Sequence, residues 1–165
     1  MMSASILQIN VSSGGLPKYA VAEASVHRLG IEGDIHAHPK IHGGPLRALL
    51  LMDAATLDEI AALGYSITAG SLGENITTLG MDRRRVRIGQ QYRVGNLIIE
   101  ITKPRGPCTQ LDCYGAGMQE AIYDPQVKAR DHSSPRWGMS GFYASVVQGG
   151  QIRPGDPIAL LSEMA

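Results

Sequence analysis

Cysteine is scarce in this chain, with two among 165 residues. That is too few to staple a secreted miniprotein and too few for the four thiolates of an iron–sulfur cluster. If the protein carries out redox chemistry, its electrons therefore come from elsewhere. Net charge is absent as well: 15 Lys and Arg balance 15 Asp and Glu, which argues against a nucleic-acid or anionic-membrane partner held by bulk electrostatics. No stretch approaches the roughly 18 apolar residues of a membrane span. The opening Met1–Asn10 has neither the basic region nor the long apolar core of a signal peptide. A soluble, cytoplasmic protein is expected. Repeats, low-complexity linkers and long charge blocks are also missing, so one domain over residues 1–165 is the simplest organisation, and 44% hydrophobic residues are enough to build its core.

Glycine, by contrast, is abundant at 20 residues, with nine prolines, and both punctuate short β-type runs. Strands are expected at 6–11, 19–26, 47–52, 74–77, 86–88, 92–94, 97–102, 141–147 and 157–161, with an antiparallel meander through 86–102 and a Gly95-Asn96 turn inside it. The clearest helix is 54–63. Asp53 can cap it, Met52 and Leu57 occupy staple positions, and Gly64 suits the left-handed residue past its end. A second helix around 118–129 is interrupted by Pro125. Many short strands with few helices predict a mainly β fold, a closed or half-closed barrel decorated by short helices.

Three glycine-rich segments lie at strand edges: 12–18, 42–47 and 70–75. Each is either a plain turn or a nest of backbone N–H groups that receives an anion, with Lys18 or Arg47 supplying charge. Cys108 follows Pro104, Arg105, Gly106 and Pro107. A thiol on so constrained a loop beside a cation suits a nucleophile, a sulfur carrier or a soft-metal ligand, or else it is a small buried hydrophobe. Cys113 is spaced wrongly for a Cys-x-x-Cys pair. A rival centre is His36, His38 and His42, with Asp34 as a further oxygen donor, which could hold zinc for a hydrolase. The five arginines between 83 and 93 are expected on a solvated face, and the aromatic segment 137–143 either packs in the core or lines a pocket mouth.

Taken in order, Ser13–Lys18, Gly30–Asp34, His42-Gly43-Gly44-Pro45, Gly70–Thr77, Pro104–Cys108 and Gly141–Tyr143 ahead of Gly155-Asp156 resemble the MOSC domain, the C-terminal domain of molybdenum cofactor sulfurases. The resemblance spans roughly residues 4–161 and implies a barrel of the MOSC type. It also implies molybdenum cofactor (molybdopterin), with Cys108 as the catalytic residue and protein ligand to molybdenum. Lys18, His42, Gly43, Gly44, Arg47, Ser71, Gly73, Glu74, Asn75 and Arg105 would line the cofactor site. Enzymes of the family reduce N-hydroxylated small molecules such as hydroxylamines, amidoximes and N-hydroxylated purines, using a separate electron-donating reductase, a flavin or iron–sulfur protein. Another reading of the same cysteine is a persulfide or cofactor carrier without turnover.

Overall fold

The computed structural model describes residues 3–35 and 44–162. In chain order it forms β1 (Ala4–Val11), β2 (Tyr19–Val21), β3 (Ala24–His27), β4 (Gly30–Ile31), a 3-10 turn at Pro45–Arg47, β5 (Leu49–Asp53), α1 (Ala54–Ala61) and β6 (Ile76–Leu79). There follow a 3-10 turn at Arg83–Arg85, β7 (Gln91–Val94), β8 (Leu97–Pro104), a 3-10 segment at Thr109–Tyr114, α2 (Met118–Ile122), α3 (Pro125–Lys128), β9 (Phe142–Gln148), β10 (Gly150–Ile152) and β11 (Pro157–Ser162).

The main sheet runs β11-β7-β8-β9-β5-β6-β1, and β11 also pairs with β1, closing a seven-stranded barrel to which β2 is appended. All barrel pairings are antiparallel except β5 with β6. A parallel pair needs a crossover, and α1 lies within it. Asp53 caps α1 as expected, its Oδ2 accepting from the Ala55 N–H at 3.2 Å, and its Oδ1 holds the Thr78 hydroxyl at 2.6 Å, tying helix to barrel. No described helix is long and apolar enough to cross a membrane.

The barrel is thus closed, but several element boundaries differ from expectation. The run 19–26 is two strands, because β2 pairs with β1 whereas β3 joins a separate three-stranded sheet, β10-β3-β4. Val86–Ile88 is not a strand, so the meander reduces to the β7–β8 hairpin. Strand β5 starts at Leu49, since Pro45 directs the chain through a 3-10 turn first. The segment 118–129 splits into α2 and α3, with Pro125 at the start of α3 and Asp124 capping the Val127 N–H. Strands β4 and β10 are too short to carry a periodic signal.

Two apolar clusters meet at β5. Leu49 and Leu51 face the barrel interior with Ile9, Ile76, Ile99, Ile101, Phe142 and Ala144. Met52 belongs to a second cluster with Leu57, Ile60, Leu72, Leu111, Met118 and Ile122, beneath the helices. Alternate side chains of a strand point to opposite faces, so the uninterrupted Leu-Leu-Leu-Met run reflects a strand covered on both sides.

Candidate functional site

A partly open cavity lies on the helix-covered side of this wall. Leu50 and Tyr143, paired across β5 and β9, form part of its lining; their neighbours Leu49, Leu51, Phe142 and Ala144 belong to the barrel interior. The remaining walls come from three loops, which contribute Gly15, Leu16 and Lys18, then Gly73 and Asn75, then Arg105, Cys108, Gln110 and Leu111; Arg47 adds a guanidinium from the 3-10 turn before β5. Six of the residues singled out in the sequence, Lys18, Arg47, Gly73, Asn75, Arg105 and Cys108, therefore meet in one concavity.

Arg105 is 5% exposed and anchored where β8 ends. Its N–H bonds the Gly141 carbonyl, its Nε donates to the Ser140 carbonyl at 2.9 Å, and one terminal nitrogen donates to the Leu72 carbonyl at 2.7 Å. The other terminal nitrogen is buried without a partner. Burial pushes this guanidinium below its usual pKa, against the opposing influence of Tyr143, Glu74 and Cys108. Cys108, half-buried and not in a disulfide, stands at the entry to the 3-10 segment 109–114. Cys113 is exposed and is not among the cavity residues.

In the loop 70–75, four N–H groups are used internally, as in the plain-turn alternative. The N–H groups of Gly70, Ser71, Gly73 and Asn75 all bond within the protein, to the Glu74 carboxylate, the Thr68 carbonyl, the Gly70 carbonyl and the Leu50 carbonyl. Gly70 instead docks Lys18, accepting its N–H at 2.9 Å. A Cβ at Gly70 would lie 2.3 Å from the Lys18 carbonyl oxygen, at a φ of +90°, so only glycine fits. Ser71 and Glu74 are buried behind the lining. The Ser71 hydroxyl accepts from the Thr68 N–H at 2.8 Å. Glu74 Oε2 accepts from Gly70 and from the Thr77 hydroxyl, its Oε1 has no partner, and burial raises its pKa despite those bonds. Gly44 caps the 3-10 turn that carries Arg47. His36, His38, His42 and Gly43 lie outside the described residues.

The polar group that organises the cavity edge is Asp34. Its carboxylate is 1% exposed and pairs with Lys18 Nζ, accepts from Asn75 Nδ2 at 2.8 Å, and accepts from the Ser12 N–H at 3.0 Å. The Asn75 amide oxygen accepts in turn from the Leu50 N–H at 3.0 Å. Asp34 thus links two cavity residues and is committed to them, which is not the free oxygen donor that a histidine metal centre requires. Among the described residues no group of three or more His, Cys, Asp or Glu could hold a metal ion. The aromatic segment divides between core and cavity: Trp137, in the turn before β9, is 1% exposed and donates from Nε1 to the Val86 carbonyl, whereas Tyr143 lines the cavity.

Chemically, the cavity combines one soft thiol with two guanidinium groups that have no ion-pair partner among the described residues, Arg47 and Arg105, and one ammonium already neutralised by a carboxylate. Such a lining receives an anionic ligand that also presents a soft or polarisable atom.

Comparison with known proteins gives a consistent picture. The MOSC domain profile matches residues 38–159. YflK of Bacillus subtilis (strain 168) is 28% identical over 155 residues, 92% of this chain and 65% of YflK. YiiM of Escherichia coli (strain K12) is 30% identical over 150 residues, 87% of this chain and 61% of YiiM. The chain thus spans less than two thirds of the length of either. A Gibberella moniliformis protein named reductase is 30% identical over 139 residues, 80% of this chain but 22% of that protein. Among solved structures, YiiM from Geobacillus stearothermophilus matches with a TM-score of 0.69 at 26% identity, covering 96% of this chain and 75% of that one.

Proposed function

The chain belongs to the MOSC domain family, and from that premise we propose that its cavity binds molybdenum cofactor and reduces N-hydroxylated compounds with electrons from a separate reductase. The observation that carries this reading is the meeting of Cys108 with the buried, partly unpartnered Arg105 in one cavity. A thiolate is a suitable ligand for a soft metal, and a guanidinium with an unused nitrogen suits a phosphate oxygen. Gly73 shapes the same wall: a Cβ there would lie 2.7 Å from the Leu16 side chain, so glycine lets Leu16 pack closely against the 70–75 loop where both line the cavity.

Bound there, the cofactor would supply the two-electron chemistry that cleaves the N–O bond. The reaction consumes two electrons and two protons, converting R–NH–OH to R–NH2 and water, or an amidoxime to an amidine and water. The protein's part is to bind and orient. Arg105 and Arg47 would hold anionic oxygens, Cys108 would hold the metal, and Leu16, Leu50 and Leu111 would limit water around the reacting bond. Tyr143 keeps its phenolic proton at neutral pH, because burial raises its pKa more than Arg105 and Arg47 lower it, so it remains a hydrogen-bond donor. With two cysteines in the whole chain, electron delivery falls to a partner. The reductase name of the distant Gibberella relative agrees with this assignment.

Metal and turnover analysis tests the proposal. Protein produced in cells that make the cofactor should contain molybdenum and pterin and should reduce benzamidoxime with an artificial donor. Cys108→Ser should lose at least about nine tenths of its molybdenum and its activity. Full molybdenum and full turnover in that variant would remove Cys108 from the metal site.

A further inference from the structure

Two carboxamides among the described residues line the cavity, and the protein uses them differently. Asn75 is committed on both atoms, since its Nδ2 donates to Asp34 at 2.8 Å and its oxygen accepts from the Leu50 N–H at 3.0 Å. Gln110 is half-buried in the same lining, and no described residue hydrogen-bonds its carboxamide. Its donors and acceptor are therefore available to a ligand.

Gln110 also has a fixed place relative to Cys108. The Leu111 N–H bonds the Cys108 carbonyl at 3.1 Å, closing residues 108–111 into one 3-10 turn. Before the turn, Arg105 is anchored to the Ser140, Leu72 and Gly141 carbonyls. After it, Leu111 is fully buried in the cluster beneath the helices, and the Tyr114 hydroxyl donates to the Ser71 carbonyl. A side chain two residues from the thiol, on a turn pinned on both sides, is placed to meet a molecule seated beside that thiol.

The rest of the lining divides by charge. Arg47, Arg105 and Cys108 suit an anionic, metal-bearing cofactor, whereas Lys18 and Asn75 are held by Asp34. A neutral N–OH compound calls for a neutral partner that both donates and accepts, and Gln110 is one. In a Z amidoxime the amino group and the hydroxyl oxygen lie on one edge of the molecule. The Gln110 oxygen can accept from that amino group while its Nε2 donates to that hydroxyl oxygen. A simple hydroxylamine, with no second nitrogen on the carbon, cannot make this two-point pairing.

We propose that Gln110 is the substrate-recognition residue of the cavity, and that it makes the protein favour N-hydroxy compounds with an N–H group on the adjacent carbon, such as amidoximes, over simple hydroxylamines. Turnover of these compounds rests on the reductase reading above; their binding by Gln110 is measured separately.

The test uses Gln110→Leu and Gln110→Met, two apolar replacements of different shape; should one fold poorly, the other decides. Molybdenum and pterin contents should match the unmodified protein, because Gln110 bonds to nothing in the described protein. Loss of the cofactor from both folded variants would assign Gln110 to the cofactor and overturn the proposal. With an artificial donor, KM for benzamidoxime should rise about tenfold at a kcat within about twofold, and KM for N-phenylhydroxylamine at most about threefold. Equal changes for the two substrates, no change for either, or a fall in kcat at constant KM would overturn it. If the unmodified protein reduces neither compound, the reductase reading fails, and calorimetric titration of the purified protein with benzamidoxime decides the role of Gln110. Binding that weakens about tenfold in the variants sustains it. Absent binding, or binding equal in variant and unmodified protein, overturns it.

Discussion

Asp34 illustrates how much of the cavity depends on a residue outside its lining. By holding Lys18 and Asn75 at once, it neutralises one cation and fixes an amide, leaving the uncompensated charge on the arginines. Asp34→Asn would leave the buried Lys18 ammonium unpaired and is expected to cost about 3 kcal/mol in urea unfolding. Lys18→Met in the same chain should recover most of that loss, because the orphaned charge is then gone. The importance of Asp34 was hidden in the sequence, since it pairs with a lysine on the far side of a turn and its neighbours include histidines that suggest a metal. Cys108 and Arg105 stood out because prolines and glycine constrain the backbone around them.

At the scale of elements, α1 is fastened to the chain by more than its apolar face. Arg83, 6% exposed, makes a two-point contact with Glu59 of α1 at 3.0 and 2.9 Å and donates to the Trp137 and Pro135 carbonyls. It is thus buried and joins three elements, whereas its neighbours Arg84 and Arg85 are exposed. A run of arginines gives no local sign of which one turns inward. Arg83→Met should lose about 2–4 kcal/mol near pH 7, since it leaves two carbonyls and a carboxylate without their donor. Bonding to Arg83 lowers the Glu59 pKa from 4.5, so the Glu59 contribution is present above that value and lost as pH falls through the depressed one. The deficit of the variant, followed by urea unfolding from pH 7 to pH 3, should therefore shrink in acid. The register of β9 has the same kind of consequence: alternation sends Phe142 inward and Tyr143 to the cavity, a division that strand period makes readable once the boundaries are known.

For the whole molecule, Glu74 acts in the opposite sense to Glu59. Burial raises its pKa, so its favourable contribution is present below the unfolded value near 4.5 and fades as pH rises through the higher folded value. Glu74→Gln keeps an acceptor for Gly70 and Thr77 but cannot ionise. Its melting temperature should exceed that of the unmodified protein by about 2–4 °C at pH 8, with the gap closing toward pH 4.5 in thermal melts. The closed barrel followed from the number and brevity of the apolar runs. The small β10-β3-β4 sheet did not, because strands of two to four residues carry too little pattern to be distinguished from turns.

Strand β11 completes the barrel by pairing with β7 on one side and with Ala4 and Ser5 of β1 on the other. On the ribosome those two edges must wait for β11 to be made. At about 5–20 residues per second, some 150 residues separate β1 from β11 by roughly seven to thirty seconds. During that interval the head of β1, and β7 once it has been made, expose open strand edges, the feature most prone to pairing with another chain. A nascent chain of this protein is therefore most in need of chaperone cover just before β11 emerges.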